Sequence, residues 1–373
     1  MFNFRVNNQV DMSNKLKIRV NELVFIIIGW ILMLYFYNFM SIWAYRHIMT
    51  DNVITEYFDS GLIHVELILG GIVFGALFAL INTLTDKTAI RKRSFGSVIF
   101  IKSSLYFLSF VFATLLVYAV YLIFGLFTSE QWNEFLIFLT PSSVISLILF
   151  LIISILLMNF ILELNKKFGP GNLLKMMTGR YHSPKDENRI FMFMDLQGST
   201  GIAERLGHNK YSQLMQNCFY DLTDVLIKYK ASVYQYVGDE VVLSWKVKDG
   251  INNLNCIKIY FEFVNKLLSR DEFYQKNFKT SPFFKCGLDA GEVTVAEIGE
   301  IKREIAYHGD VLNVTARIEK QCTPLKKQML ISEDLEKILP KNLNGFNKEQ
   351  IGEIVLKGKR EKTMLYCIEM NGS

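Results

Sequence analysis

Four apolar runs fill the first 163 residues and limit what this chain can become. They extend from about Leu23 to Ala44, Leu62 to Leu84, Leu105 to Phe127 and Ser142 to Leu162. Each reaches the ~20 residues that an α-helix, rising about 1.5 Å per residue, needs to cross a hydrocarbon layer of about 30 Å. One such run could be a buried helix of a soluble protein; four in succession predict a helical membrane domain. A cleaved secretion signal is not expected. A polar stretch of 22 residues precedes the first run, and no small-residue cleavage site follows it.

The charges between the runs set an orientation, because Lys and Arg are retained on the cytoplasmic side. Arg5, Lys15, Lys17 and Arg19 precede the first run, Lys87, Arg91, Lys92 and Arg93 separate the second and third, and Lys166 and Lys167 follow the fourth. The other two loops are poor in Lys and Arg, so both termini are expected in the cytoplasm. Trp43, Tyr45 and Trp132 fall near the expected interfaces, where amphipathic rings settle. Gly71 and Gly75 form a G-x-x-x-G that permits close helix approach, either incidental or a dimer seam. Glu66, beside His64, is either a ligand or proton site or an interfacial side chain. Lys102, at the inner edge of the third run, is expected to snorkel.

Half of the 373 residues are hydrophobic (51%), and 21% are charged. That apolar content excludes a disordered chain, and the length suits two modules. The first 163 residues carry equal numbers of acidic and basic side chains, so the net +5 falls on the remainder. Such a surplus is too weak to predict a nucleic-acid partner. Cys218, Cys256, Cys286, Cys322 and Cys367 all follow the last run without metal-ligand spacing. They are expected to be reduced core thiols.

Residues 164–188 read as a connector, with Gly-Pro-Gly, a short apolar helix and a Ser-Pro break. A mixed α/β pattern follows. Strands are expected at Arg189–Met194, Ser232–Tyr236, Val241–Trp245, Phe284–Asp289, Glu292–Ala296, Glu304–Tyr307, Ile351–Leu356 and Met364–Ile368. Helices are expected over Lys210–Lys230, Asn253–Leu268 and Val311–Gln321. Helices on one face of a mostly antiparallel sheet is the expected architecture. The domains are thus 1–22 (tail), 23–163 (membrane), 164–188 (connector) and 189–373 (α+β).

Two aspartates stand where chemistry is expected. Asp195 ends the first strand, and Asp239 sits in the turn of the hairpin YVGDEVV. Neighbouring strands would bring both carboxylates to one edge, as hard ligands for Mg²⁺ or Mn²⁺ shared with phosphates. Separately, a helix cap explains Asp195 and turn chemistry explains Asp239. Gln197, Gly198, Ser199 and Thr200 open a helix whose backbone N–H groups could cradle a triphosphate. Asn313 and Arg317, four apart on one helix, share a face and could orient a ribose and neutralise a phosphate.

From Arg189 to Glu369 the sequence resembles the class III nucleotidyl cyclases, the adenylate and guanylate cyclases. The resemblance rests on the F-x-D strand end, the G-D hairpin and G-D-x-x-N-x-x-A-R-x-E from Gly309 to Glu319. The four-span arrangement is similar to a membrane-bound bacterial group of this family. The resemblance implies a ferredoxin-like catalytic domain that converts ATP, or GTP, to a cyclic nucleotide and pyrophosphate. It implies two Mg²⁺ or Mn²⁺ ions on Asp195, Asp239 and the backbone of Leu196. One ion would activate the ribose 3′-hydroxyl and the other would hold the triphosphate. Asn313 matches the ribose-orienting asparagine and Arg317 the arginine at the α-phosphate. Lys357 or Lys359 matches a basic residue on the outer phosphates. The family works as dimers with the site at the interface, so a homodimer with two sites is implied.

Base recognition departs from the pattern. Gln235 and Ala306 stand where adenylate cyclases place Lys and Asp or Thr, and guanylate cyclases Glu and Cys. Gln235 can serve either purine. ATP is the expected substrate, with GTP the alternative. The implied location is the plasma membrane, multi-pass, with the catalytic domain cytoplasmic. The competing readings are a diguanylate cyclase, on Val237-Gly238-Asp239-Glu240-Val241; a receptor with an inactive cyclase-like domain; and a transporter. The membrane domain is expected to pass a signal through the connector around Phe168–Tyr181, or only to anchor the chain.

Overall fold

The computed structural model describes residues 8–48, 62–86, 93–123, 141–169, 172–355 and 362–371. The chain forms two compact units, one over Leu16–Pro170 and the other over residues 1–15 together with 171–373.

The first unit is built from α1 (Asn8–Ile48), α2 (Leu62–Asp86), α3 (Phe95–Ile123) and α4 (Pro141–Phe168). Each contains a stretch long and apolar enough to cross a membrane: Arg19–Trp43, Ile63–Asp86, Phe95–Phe112 and Val144–Lys167. Their outward faces remain apolar, with Leu32, Phe39, Phe100, Phe112 and Ile153 exposed. Helices that are hydrophobic all round suit lipid rather than water. Inside, Ile26, Trp30, Phe78, Tyr106, Leu151 and Met158 form the bundle core. Gly71 and Gly75 seat α2 against α1 of the same chain, since a Cβ at Gly75 would lie 2.7 Å from the Ile27 Cα. His64 pairs with the Tyr35 hydroxyl at 3.2 Å, whereas the side chains of Glu66 and Tyr45, and the whole of Trp132, lie outside what is described.

Lys102 does not snorkel. It is 1% exposed, and its ammonium donates to Asn82 (2.7 Å), Asp86 (2.9 Å) and Glu163 (2.8 Å). Asn82 in turn donates to Glu22 at 2.5 Å. Four helices therefore share one polar layer. A lysine with three acceptors in reach is better satisfied inside than stretched toward water.

The second unit opens with α5 (Asn172–Met177) and continues β1 (Lys185–Leu196), α6 (Ser199–Leu226), β2 (Ser232–Val237) and β3 (Glu240–Lys246). Then come α7 (Val247–Ile251), α8 (Asn255–Ser269), α9 (Asp271–Phe278), β4 (Phe284–Ile298) and β5 (Glu304–His308). The unit ends with α10 (Asp310–Leu325), β6 (Met329–Ser332), α11 (Glu333–Ile338), β7 (Phe346–Val355) and β8 (Lys362–Met370). The described strands form an eight-stranded sheet in the order β2-β3-β1-β4-β6-β8-β7, with β5 beside the far end of β4. All neighbours are antiparallel except β4 and β6.

Alternation along β1 separates two cores. Ile190, Met192, Met194 and Leu196 pack with Leu214, Cys218 and Leu222 of α6 and with Ile257, Tyr260 and Phe263 of α8. Phe191 faces the other way, with Val242, Val293, Val295 and Val311 of α10. The expectation of helices on one face is thus corrected. A parallel β4–β6 connection must cross over the sheet, and α10 is that crossover on the opposite face. The two strands expected at Phe284–Asp289 and Glu292–Ala296 are one, because Gly291 continues the ladder opposite Arg189. The helix expected to open at Gln197–Thr200 and the one expected over Lys210–Lys230 are one, α6, which begins at Ser199, absorbs a break at Gly207 and ends at Leu226. All five cysteines are buried and free, as expected of core thiols.

Candidate active site

Asp195 leaves β1 on the α10 face. Its cross-strand neighbours are Glu240 on β3 and Lys285 on β4. Two residues form the β2–β3 turn, and Gly238 supplies its left-handed conformation (φ 64), so turn geometry does not require the adjacent Asp239. Nor is Asp195 a helix cap, since the cap position of α6 is Gly198, without a side-chain cap. The two carboxyls approach within hydrogen-bonding reach of each other.

Burial, followed by Asp239 and Glu319, pushes the Asp195 carboxyl up to about 6 against the pull of Lys285. Burial, then Glu319 and Asp195, pushes Glu240 up to about 7. Glu319, 2% exposed on α10, is also raised by burial, although Lys285 opposes this. Tyr211 of α6 joins the cluster. Its hydroxyl lies within reach of Ser199 and Asp239, and burial with the Asp239 charge pushes it up to about 12. Four carboxyls thus crowd together, two of them (Asp195 at 3.7 Å and Glu319 at 3.1 Å) within reach of the Lys285 ammonium, with Lys320 acting on Glu240 and Glu319. An oxygen-only donor set with excess negative charge fits Mg²⁺ or Mn²⁺. A separate acidic group, Glu349 with Cys367 and Glu369, is answered by Lys327 at 2.6 Å and 3.0 Å from the two glutamates.

The position of α10 follows from β4. A Cβ at Gly291 would meet Val311, and one at Gly287 would lie 2.3 Å from the Glu319 amide nitrogen. Thr323 accepts from Lys285 at 2.8 Å. The helix therefore runs antiparallel to β4, its start over Gly291 and its end beside Lys285. Asn313 is exposed and Arg317 half-buried, both turned from the core that Val314, Ile318 and Cys322 build. Ten residues of helix separate Asn313 from the level of Asp195, about 15 Å at the α-helical rise. One chain therefore holds the aspartates at the end of β1 and Asn313 over the middle of that strand.

The other expected site residues are placed as follows. The Gln197 amide donates to the Phe283 carbonyl at 2.9 Å and is spent on that contact. Gly198, Ser199 and Thr200 occupy the start of α6, where first-turn donors lack intrahelical acceptors. The Leu196 side chain is in the core, leaving only its backbone for the site. A bulge at Tyr234 sets Gln235 opposite Val242, exposed and on the α10 face. Ala306 is 7% exposed on β5, opposite Ala296. The next residue, Tyr307, approaches the Tyr234 hydroxyl with its amide at 3.5 Å. Lys357 and Lys359 lie outside the described residues. Lys285, Glu240, Glu319 and Tyr211 carry no sequence signal as site residues; only the fold brings them together, Tyr211 while also packing against the core.

A sheet of this order, with acidic groups at one strand end and an Asn/Arg helix crossing its face, defines the nucleotidyl cyclase domain. The sequence model of the adenylate and guanylate cyclase catalytic domain matches residues 181–370, and the chain belongs to that family. Among its relatives, adenylate cyclase 2 of Rhizobium meliloti (strain 1021) is 34% identical over 203 residues, 54% of this chain and 56% of that protein. The receptor-type guanylate cyclase gcy-8 of Caenorhabditis elegans is 28% identical over 193 residues, 51% of this chain and 16% of that one. The chain thus matches little more than half of the first relative's length. A bacterial light-regulated adenylyl cyclase shares the fold, with a TM-score of 0.50 at 18% identity over 59% of this chain and 66% of that structure.

Proposed function

We propose that this chain is a membrane-anchored adenylate cyclase that closes ATP to 3′,5′-cyclic AMP and releases pyrophosphate. The observation that carries this reading is the Asp195–Asp239 carboxyl pair on the face that α10 crosses. Family membership supports the reaction class, and the similarity to an adenylate cyclase supports ATP. GTP is the second reading, because Gln235 can hydrogen-bond to either purine and a guanylate cyclase is also among the relatives.

Divalent ions on Asp195, Asp239 and the Leu196 backbone would supply the charge that acidifies a ribose hydroxyl and offsets the triphosphate. The chain does the rest. Asn313 orients the ribose so that its 3′-oxygen faces the α-phosphorus. Arg317 offsets the negative charge that grows on the α-phosphate as the new O–P bond forms and the bond to pyrophosphate breaks. The hydroxyl proton leaves to solvent. The first-turn donors of α6 hold the outer phosphates.

The ~15 Å between Asn313 and the level of Asp195 in one chain supports a homodimer. A two-fold axis would bring the Asn313 and Arg317 of each protomer to the aspartates of its partner, giving two equivalent sites. The four apolar helices support residence in the plasma membrane, with both termini and the catalytic domain cytoplasmic. The connector over 164–188 would pass signals by changing how the two catalytic domains meet. Grafting residues 181–373, which keep β1 and Tyr181 whole, onto an unrelated dimeric helix should alter the basal rate; an unchanged rate would leave anchoring as the membrane part's role.

The decisive experiment incubates purified full chain with Mn²⁺ and either ATP or GTP and identifies the product. Wild type should form cyclic AMP, and Asp239→Ala should lose at least about 100-fold. If wild type forms no cyclic product from either nucleotide, the enzyme reading falls and a nucleotide-binding receptor takes its place.

A further inference from the structure

Lys285 stands where two halves of the catalytic unit meet. It is the cross-strand partner of Asp195, with its ammonium 3.7 Å from the Asp195 carboxylate. The same ammonium lies 3.1 Å from Glu319 and 2.8 Å from the Thr323 hydroxyl, both on α10. Its side chain is mostly buried and that of Glu319 almost wholly so. The close approach of α10 at Gly287 fixes the Glu319 backbone against β4.

We propose that Lys285 is a positioning residue and the resident counter-ion of the metal site, holding Asp195 until a divalent cation displaces it onto Glu319. The inference rests on the proposed cyclase function and adds a residue to it. Lys285 has two carboxylates within reach and one charge to give. A dication at Asp195 offers that carboxylate more charge at closer range than an ammonium 3.7 Å away. It would also repel the ammonium. Glu319 and Thr323 offer Lys285 a place to stay, so no buried cation is stranded. Because Glu319 is two residues beyond Arg317, the same contact fixes the turn of α10 that carries the arginine.

Opposite effects of two substitutions separate this role from a merely structural one. Removing the competitor in Lys285→Met should tighten metal binding at Asp195. Removing the alternative partner in Glu319→Gln should concentrate Lys285 on Asp195 and weaken binding. Loss of packing would weaken both.

The test titrates purified full chain with Mn²⁺ alone, without nucleotide, and reads free Mn²⁺ by electron paramagnetic resonance. Lys285→Met should lower the dissociation constant by about threefold or more, and Glu319→Gln should raise it by a similar factor. Lys285→Arg should stay close to wild type. With Mn²⁺ and ATP, Lys285→Met should lose kcat while its KM for ATP stays within about twofold, because the defect lies in placing Arg317 rather than in binding. Weaker binding in both variants, or no change in either, would overturn the proposal. If Lys285→Met does not fold, Glu319→Gln decides: tighter or unchanged binding sinks it. Wild type that binds no Mn²⁺ would overturn the metal-site reading itself, whereas wild type that binds while the variants fail to diverge would overturn only the role of Lys285.

Discussion

Gly287 and Glu319 touch backbone to backbone: a Cβ on the glycine would lie 2.3 Å from the glutamate's amide nitrogen and 2.7 Å from its Cα. No flexible side chain can yield there, so the helix itself must move. Gly287→Ala should therefore lift α10 from the sheet and shift Asn313 and Arg317 together. We expect a loss of about 2 kcal/mol in stability of the catalytic unit, within the usual range for overpacking. Activity should fall more steeply than stability. Thermal melts alongside turnover at a temperature where the variant remains folded check this, and wild-type turnover in the folded variant would contradict it.

Metal affinity should depend on pH through two carboxyls. Asp195 is pushed up to about 6 and Glu240 to about 7, both above their unfolded values. Between about pH 4 and 7 the folded, metal-free protein therefore holds protons that the unfolded chain has released. A cation at Asp195 must displace such a proton. The half-saturating Mn²⁺ concentration should fall as pH rises from about 5.5 to 7.5, approaching tenfold per unit for each proton displaced, and level off above. By the same linkage, the metal-free catalytic unit loses stability as pH rises through that window, because its native state binds the extra protons. In the metal-free protein, Asp195→Asn should remove the lower step of this stability loss and Glu240→Gln the upper. A flat Mn²⁺ dependence from pH 5.5 to 8 would contradict the assignment.

Two inactive variants should rescue each other. If Asp195 and Asn313 of one chain serve different sites, Asp239→Ala and Arg317→Ala damage different halves of each site. In an equimolar mixed assembly half of the dimers are hybrid, and each hybrid has one intact site. Activity should return to about a quarter of wild type after co-expression, since one site in four is whole. Activity no greater than that of either variant alone would mean that each chain builds its own site.

The polar layer of the membrane unit makes a different kind of claim. Lys102 is held by Asn82, Asp86 and Glu163, and Lys166 also reaches Asp86 at 2.8 Å. Lys102→Met leaves Glu163, 12% exposed, beside a methyl group. We expect a loss of about 2 kcal/mol, less than for a fully buried pair because Lys166 still answers part of the charge. The midpoint of thermal aggregation in detergent should fall accordingly. The triple variant Lys102→Met, Asp86→Asn, Glu163→Gln should recover part of that loss, since the one charge it leaves without carboxylates, Lys166, has a side chain 38% exposed and can turn to water. A triple variant weaker than the single one would show that the network stabilises beyond mere charge balance.

What the sequence made legible was local. Four apolar runs needed only hydropathy and length. Asp195 and Asp239 were visible from a strand end and a tight turn, and Asn313 with Arg317 from helical spacing. Lys285 and Glu319 were not, because their contact depends on which strand lies beside β1 and on which face α10 crosses. That face depends on the parallel pairing of β6, a four-residue strand too short to show a period. Tyr211 packs against the core from the apolar stripe of α6, as its spacing suggests, and only the fold brings its hydroxyl to Asp239. Lys102 read as a residue that escapes to water, since its partners lie on two other helices.

Base selection should follow the side chain at position 235. Ala306 is buried and carries no polar group, so of the two expected base-reading positions only Gln235 can hydrogen-bond through its side chain. The bulge at Tyr234 turns it to the face that carries α10. Glutamine both donates and accepts, so it can meet N1 of adenine, an acceptor, or N1–H of guanine, a donor. Lysine only donates and glutamate only accepts. Gln235→Lys should therefore raise the ratio of kcat/KM for ATP over GTP, and Gln235→Glu should lower it, each by about tenfold, or about 1.4 kcal/mol in the transition state. Measuring both ratios with Mn²⁺ on the purified chain checks the assignment. If both substitutions move the ratio in one direction, or neither moves it, the base is read from another part of the site.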